Sequence, residues 1–122
     1  VTLPRVDAVT FLVRTGEGPD AVAWYSRLLG RGPDVTPVDD LHEWEVVPGA
    51  WLQVATAATD VTPSSFRVRF GVADLTAAVA ALRADGVAVD DPEVVPGVVA
   101  WTDLADPWGN PLGLFEELAG PA

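Results

Sequence analysis

The chain has 122 residues, a length that fits one compact domain able to bury a core without covalent staples, and it has no cysteine for a disulfide, a zinc–thiolate site or a thiol nucleophile. Eighteen Asp and Glu oppose seven basic residues, and this net charge of −11 argues against a nucleic-acid partner while it keeps the protein soluble or draws a cationic ligand. The apolar runs are short and broken by Arg, Asp, Gly or Pro, so none approaches the ~20 residues of a membrane span.

No opening stretch has the basic-then-apolar pattern of a signal peptide, which makes a cytoplasmic location without membrane partners the expectation. All seven basic residues are Arg, and with abundant Ala, Val, Gly and Pro this suits a GC-rich, actinobacterial-like genome.

In chain order, Val6–Val13 is β-branched and aromatic and predicts a strand. Residues 16–20 form a turn, with Pro19 suited to a first helical turn. A helix is expected over Ala21–Leu29, where Val22, Tyr25 and Leu29 share one face, and Gly30 stops it. Strands follow at Val35–Val38, His42–Val47 and Ala50–Ala55, separated by the turn residues Asp39-Asp40 and Pro48-Gly49. Residues 56–65 are polar, carry Pro63, and serve as a linker.

The order then repeats. Phe66–Val72 alternates, with Arg67 and Arg69 on one side and Phe66, Val68 and Phe70 on the other. Asp74 is an N-cap for a helix over Leu75–Ala84, closed by Gly86. Strands near Val87–Val89, Val98–Leu104 and Pro111–Glu116 complete the set. The pattern is an α+β chain of two tandem βαβββ modules, about 5–55 and 66–118, within a single domain of residues 1–122. Helices on one face of a curved mixed or antiparallel sheet would leave the other face to line a cleft.

Three segments carry a family resemblance. Asp106-Pro107-Trp108-Gly109-Asn110-Pro111, followed by Leu112–Glu116, resembles the DPxGN turn and last strand of the vicinal-oxygen-chelate (glyoxalase/bleomycin resistance/dioxygenase) superfamily. Trp24–Gly30 resembles its FY-x-x-x-LG helix end, and Val72–Leu75 through Leu82–Val87 its V-x-D-L…L-x-x-x-G-V segment. The resemblance spans almost the whole chain and implies the glyoxalase/bleomycin-resistance fold. It also implies pairing into a homodimer. Metal-dependent members hold a divalent ion with His, Glu or Gln side chains, and alignment by these motifs puts the four positions at Ala8, Gln53, Arg67 and Gly113. Ala and Gly offer no ligand, Arg repels a cation, and one neutral amide is no metal site. Neither metal nor cofactor is expected. Glu116 and Glu117 lie beyond the ligand position, and Glu116 has the opposite strand parity.

Period-two reasoning from these positions gives a lining of Thr10, Trp51, Gln53, Arg67, Arg69, Trp101, Asp103 and Phe115 for a small-molecule ligand. Arg67 would either replace the metal by holding an anion bidentately, or pair with Asp103 and fill the floor. Two functions follow: a binding protein that sequesters an antibiotic or metabolite, or a metal-independent lyase, isomerase or glyoxalase-related enzyme with Asp103 as base and Arg67 as electrophilic partner. A third possibility is a regulatory dimer with a vestigial site. Trp24 and Tyr25 are expected to pack against the sheet, and His42 to be a surface or interface residue. Trp44 is left open between the core and an interface, and Trp108 between covering the cleft and a subunit contact.

Overall fold

The computed structural model describes residues 5–56 and 61–118, so part of the 56–65 linker lies outside the described residues. The chain divides between Ser64 and Ser65 into two compact units. Each unit is a four-stranded mixed sheet with one helix.

In the first unit, strand β1 (Val9–Arg14) leads to helix α1 (Gly18–Leu29) and then to β2 (Val35–Val38), β3 (Leu41–Val47) and β4 (Ala50–Ala55). The sheet order is β1-β4-β3-β2, with β1 parallel to β4 and the other pairs antiparallel. Pro19 sits in the first turn of α1, so the helix begins three residues before the expected Ala21. Gly30 ends it at φ 77°, a left-handed geometry that glycine adopts without a Cβ penalty. Strand β1 starts at Val9 rather than Val6 because its partner starts at Ala50, leaving residues 6–8 nothing to pair with.

The core of this unit joins helix and sheet through Trp24, Tyr25, Val13, Trp44, Leu52 and Val54, all buried. Trp24 meets Tyr25 edge-on at 4.9 Å, and the Tyr25 ring lies 6.1 Å from that of Trp44. Trp44 is therefore a core residue, and its Nε1–H donates to Arg31 O at 2.9 Å. Arg31 in turn clasps Asp34 and donates to Glu45 O, while Asp34 Oδ2 accepts from Glu45 N. The Arg31 guanidinium, then the Glu45 amide, lower the Asp34 carboxyl below its usual range, and the same pairing raises Arg31. His42 pairs with Val54 on the helix side of the sheet, half-buried, with its Nδ1 3.4 Å from Thr36 Oγ1.

The second unit repeats the plan with β5 (Val68–Gly71), α2 (Leu75–Ala84), β6 (Glu93–Val95), β7 (Val99–Ala105) and β8 (Pro111–Glu117), in the order β5-β8-β7-β6. Asp74 caps α2 as expected, accepting from Ala77 N at 3.0 Å. A second carboxylate reaches the same helix start, since Glu116 Oε1 accepts from Leu75 N at 2.8 Å. The strand expected at Val87–Val89 is absent, and β6 forms at Glu93–Val95 instead. Residues 87–90 are committed elsewhere: Val87 N donates to Leu82 O, Val89 O accepts from Arg83, and Asp90 pairs with Asp103 O and the Thr102 hydroxyl. Those bonds tie the segment to the helix end and to β7, so pairing begins only after Pro92.

The DPxGN turn is held by its own side chains. Asp106 Oδ1 accepts from Trp108 N at 3.0 Å and Asn110 N at 2.8 Å, and Oδ2 accepts from Asn110 Nδ2 at 2.8 Å. Asp106 and Asn110 are buried and Gly109 takes φ 90°, which fixes the entry of β8. Among the described residues, no helix is long and apolar enough to cross a membrane.

Candidate ligand-binding site

Because successive strand side chains alternate, each sheet has a core face and a face turned away from its helix. Register then decides which residues stand side by side on that second face. In the first unit, Leu12, Gln53 and Glu43 form one row and Thr10, Trp51 and Glu45 the next. Gln53 Nε2 donates to Glu43 Oε1 at 2.6 Å, so the amide is already engaged. Glu43 was missed by the sequence reasoning, although alternation around Trp44 carried the signal: once Trp44 enters the core, Glu43 and Glu45 must face the other way. Ala8 precedes β1 and is exposed; the residue that faces Gln53 across the sheet is Leu12.

In the second unit, Arg69, Gly113 and Asp103 form one row, and Gly71, Phe115, Trp101 and Glu93 the next. Arg69 grips Asp103 with Nε at 3.2 Å and Nη2 at 3.0 Å to Oδ1. Arg67 Nε lies 3.6 Å from the same oxygen, while its Nη1 donates to Leu112 O at 2.5 Å and Leu104 O at 3.2 Å. Asp103 is thus shared by both guanidiniums, and two backbone carbonyls hold the rest of Arg67.

Two glycines clear this face. A Cβ on Gly113 would stand 2.8 Å from Arg69 Cγ, 2.8 Å from Thr102 O and 3.0 Å from Asp103 Oδ1. It is therefore the Arg69 stem that occupies the space Gly113 leaves. A Cβ on Gly71 would stand 3.0 Å from Phe115 Cζ, so the phenyl ring lies over Gly71. Trp101 and Phe115 are both half-buried on adjacent strands of this row. Trp108 is half-buried at the turn, with its backbone N–H in the Asp106 cage.

No family model matches the sequence, and no curated protein matches it either. Solved structures do. A glyoxalase/bleomycin resistance protein from Catenulispora acidiphila is 24% identical with a TM-score of 0.74, over 89% of this chain and 96% of that one. An antibiotic-binding protein from a Streptomyces species is 23% identical with a TM-score of 0.74, over 96% and 98%. A member of the glyoxalase/bleomycin resistance protein/dioxygenase superfamily from Sphaerobacter thermophilus is 25% identical with a TM-score of 0.64, over 90% and 96%.

The fold is that of the vicinal-oxygen-chelate superfamily. At the four positions that the motif resemblance assigns to ligands, the side chains present do not fit a metal. Ala8 and Gly113 have no side-chain ligand atom, Gln53 offers one neutral amide oxygen, and Arg67 is cationic. The Gly113 position is also overlaid by the Arg69 stem, so this vicinal-oxygen-chelate fold could not take a carboxylate there without moving Arg69. Among the described residues no group of three or more His, Cys, Asp or Glu is placed to hold an ion.

Proposed function

We propose that the protein is a metal-independent small-molecule-binding protein of the glyoxalase/bleomycin-resistance type, which sequesters an antibiotic or metabolite rather than transforming it. The observation that carries this reading is the second-unit face, where Arg69 covers Gly113 and locks onto Asp103 beside the Trp101–Phe115 row. Aromatic surface next to a few fixed polar groups is the composition of a binding site. Asp103 is paired through Oδ1 with Arg69, with Arg67 alongside, so its carboxylate stands as the counter-ion of two guanidiniums. That favours binding over lyase or isomerase chemistry. The antibiotic-binding neighbour supports the same class of function. We further infer a cytoplasmic homodimer, the pairing resting on the resemblance to the superfamily.

The test is a titration of the purified protein against a small-molecule library, followed by intrinsic tryptophan fluorescence, with and without divalent ions. The expected result is saturable binding that is unchanged by chelator and weakened by Trp101→Ala, with the ligand recovered intact. Stoichiometric metal uptake with raised thermal stability would refute the metal-independent reading, and turnover of the ligand would refute sequestration.

A further inference from the structure

Beside Phe115, the second unit has a cavity of about 350 Å³ lined by Gly71, Val72, Ala73, Phe115, Glu116 and Glu117. Its walls are the end of β5, the link into α2 and the last residues of β8. The phenyl ring leans over Gly71, where the missing side chain leaves the backbone flat beneath it. One Glu116 oxygen accepts from Leu75 N, which offsets the positive end of α2. Glu117 is exposed, and no partner for its carboxylate exists among the described residues.

The charge on this face settles what such a cavity prefers. Arg67 and Arg69 are the positive groups there, and both are directed at Asp103 or at backbone carbonyls. Glu93 and Glu117 have the same strand parity, so carboxylates outnumber guanidiniums on the face. The net charge of −11 adds a field of the same sign. An anion entering here would meet arginines already engaged by Asp103 and backbone carbonyls, with the open carboxylates of Glu93 and Glu117 alongside, whereas a cation would meet an aromatic ring and Glu117.

We propose that this cavity is a subsite for an organic cation, an ammonium or amidinium group carried on an apolar body, with Phe115 supplying the ring face and Glu117 the counter-charge. The inference rests on the small-molecule-binding reading and names the charge class of the ligand. An aromatic ring is worth ~0.5–1 kcal/mol toward an exposed cation, and an exposed ion pair ~0.2–1 kcal/mol. Each corresponds to a change of up to about fivefold in Kd.

The probes are benzyltrimethylammonium and benzoate, titrated into the full chain by calorimetry at low salt. Saturable binding of the cation, weakened by up to about fivefold by Glu117→Gln and by about twofold to fivefold by Phe115→Leu and reduced by added salt, is the expected result. Both variants should keep the wild-type circular dichroism spectrum, so that loss of binding is not loss of fold. The proposal is overturned if the cation does not bind, if Glu117→Gln leaves its Kd unchanged, or if benzoate binds as tightly. Benzoate binding that depends on Arg69 and ignores Glu117 would refute the cation subsite and leave the binding function standing. Failure of every compound, library included, would refute both.

Discussion

Replacing Gly113 by alanine adds one methyl group at a site with no room for it. Gly113 lies mid-strand in β8 without a positive φ, so the substitution carries no backbone strain and its effect is steric. The new Cβ would stand 2.8 Å from both Arg69 Cγ and Thr102 O. The arginine stem can swing aside, but Thr102 O belongs to β7 and moves only with the strand. Overpacking of this kind costs ~1–3 kcal/mol, and displacing Arg69 from Asp103 adds at most ~1 kcal/mol for a pair exposed by 42% and 29%. Removing a glycine from the unfolded chain returns ~0.4–1 kcal/mol. The expected balance is a destabilisation of about 1–2 kcal/mol, read as a lowered urea midpoint at constant slope. Gly71→Ala is the control, because its obstacle is the tip of the Phe115 ring, which can rotate away; its cost should be below ~1 kcal/mol. If Gly113→Ala equals or exceeds wild type in stability, Arg69 does not lie over Gly113, and the argument that its stem blocks the ligand position fails.

Two further perturbations test the frame around the site. Asp106→Ala removes the acceptor of three hydrogen bonds in a buried turn, at ~1–3 kcal/mol for each buried donor it leaves unsatisfied. Urea unfolding should show a loss of about 3 kcal/mol, and a loss under ~1 kcal/mol would mean the turn does not depend on this cage. Asp34 has a carboxyl lowered from its usual 3.8 by Arg31 and the Glu45 amide. Its contribution to stability is present above that ordinary value and is lost as the pH falls toward the lower folded value. Comparing wild type with Asp34→Asn between pH 6 and pH 2.5 should show the two converging at the acid end, and parallel curves would refute the linkage.

Much of the fold was legible because it is written in local patterns. The bounds of β2, β4 and α2 follow from alternation, an Asp N-cap and helix-ending glycines, all of which act within a few residues. The DPxGN turn was legible for the same reason, since its hydrogen bonds run within five consecutive residues. Failures occurred where a segment's fate depended on a distant partner. Val87–Val89 has strand composition, yet helix and β7 bonds claim it, and β1 waits for Ala50 before pairing can begin.

The site divides along the same line. The sequence by itself determined which side chains are present: no side-chain donor at Ala8 or Gly113, an arginine at 67, a charge of −11, and the parity that turns Trp101, Asp103 and Phe115 to one face. Only the tertiary structure decided their partners. Register set Arg69 over Gly113, gave Asp103 to both arginines, tied Gln53 to Glu43, and left Glu117 open beside Phe115. Alternation along one strand fixes the direction of a side chain, whereas its neighbours come from strands tens of residues away, and their alignment is set by turns and bulges that no single segment encodes.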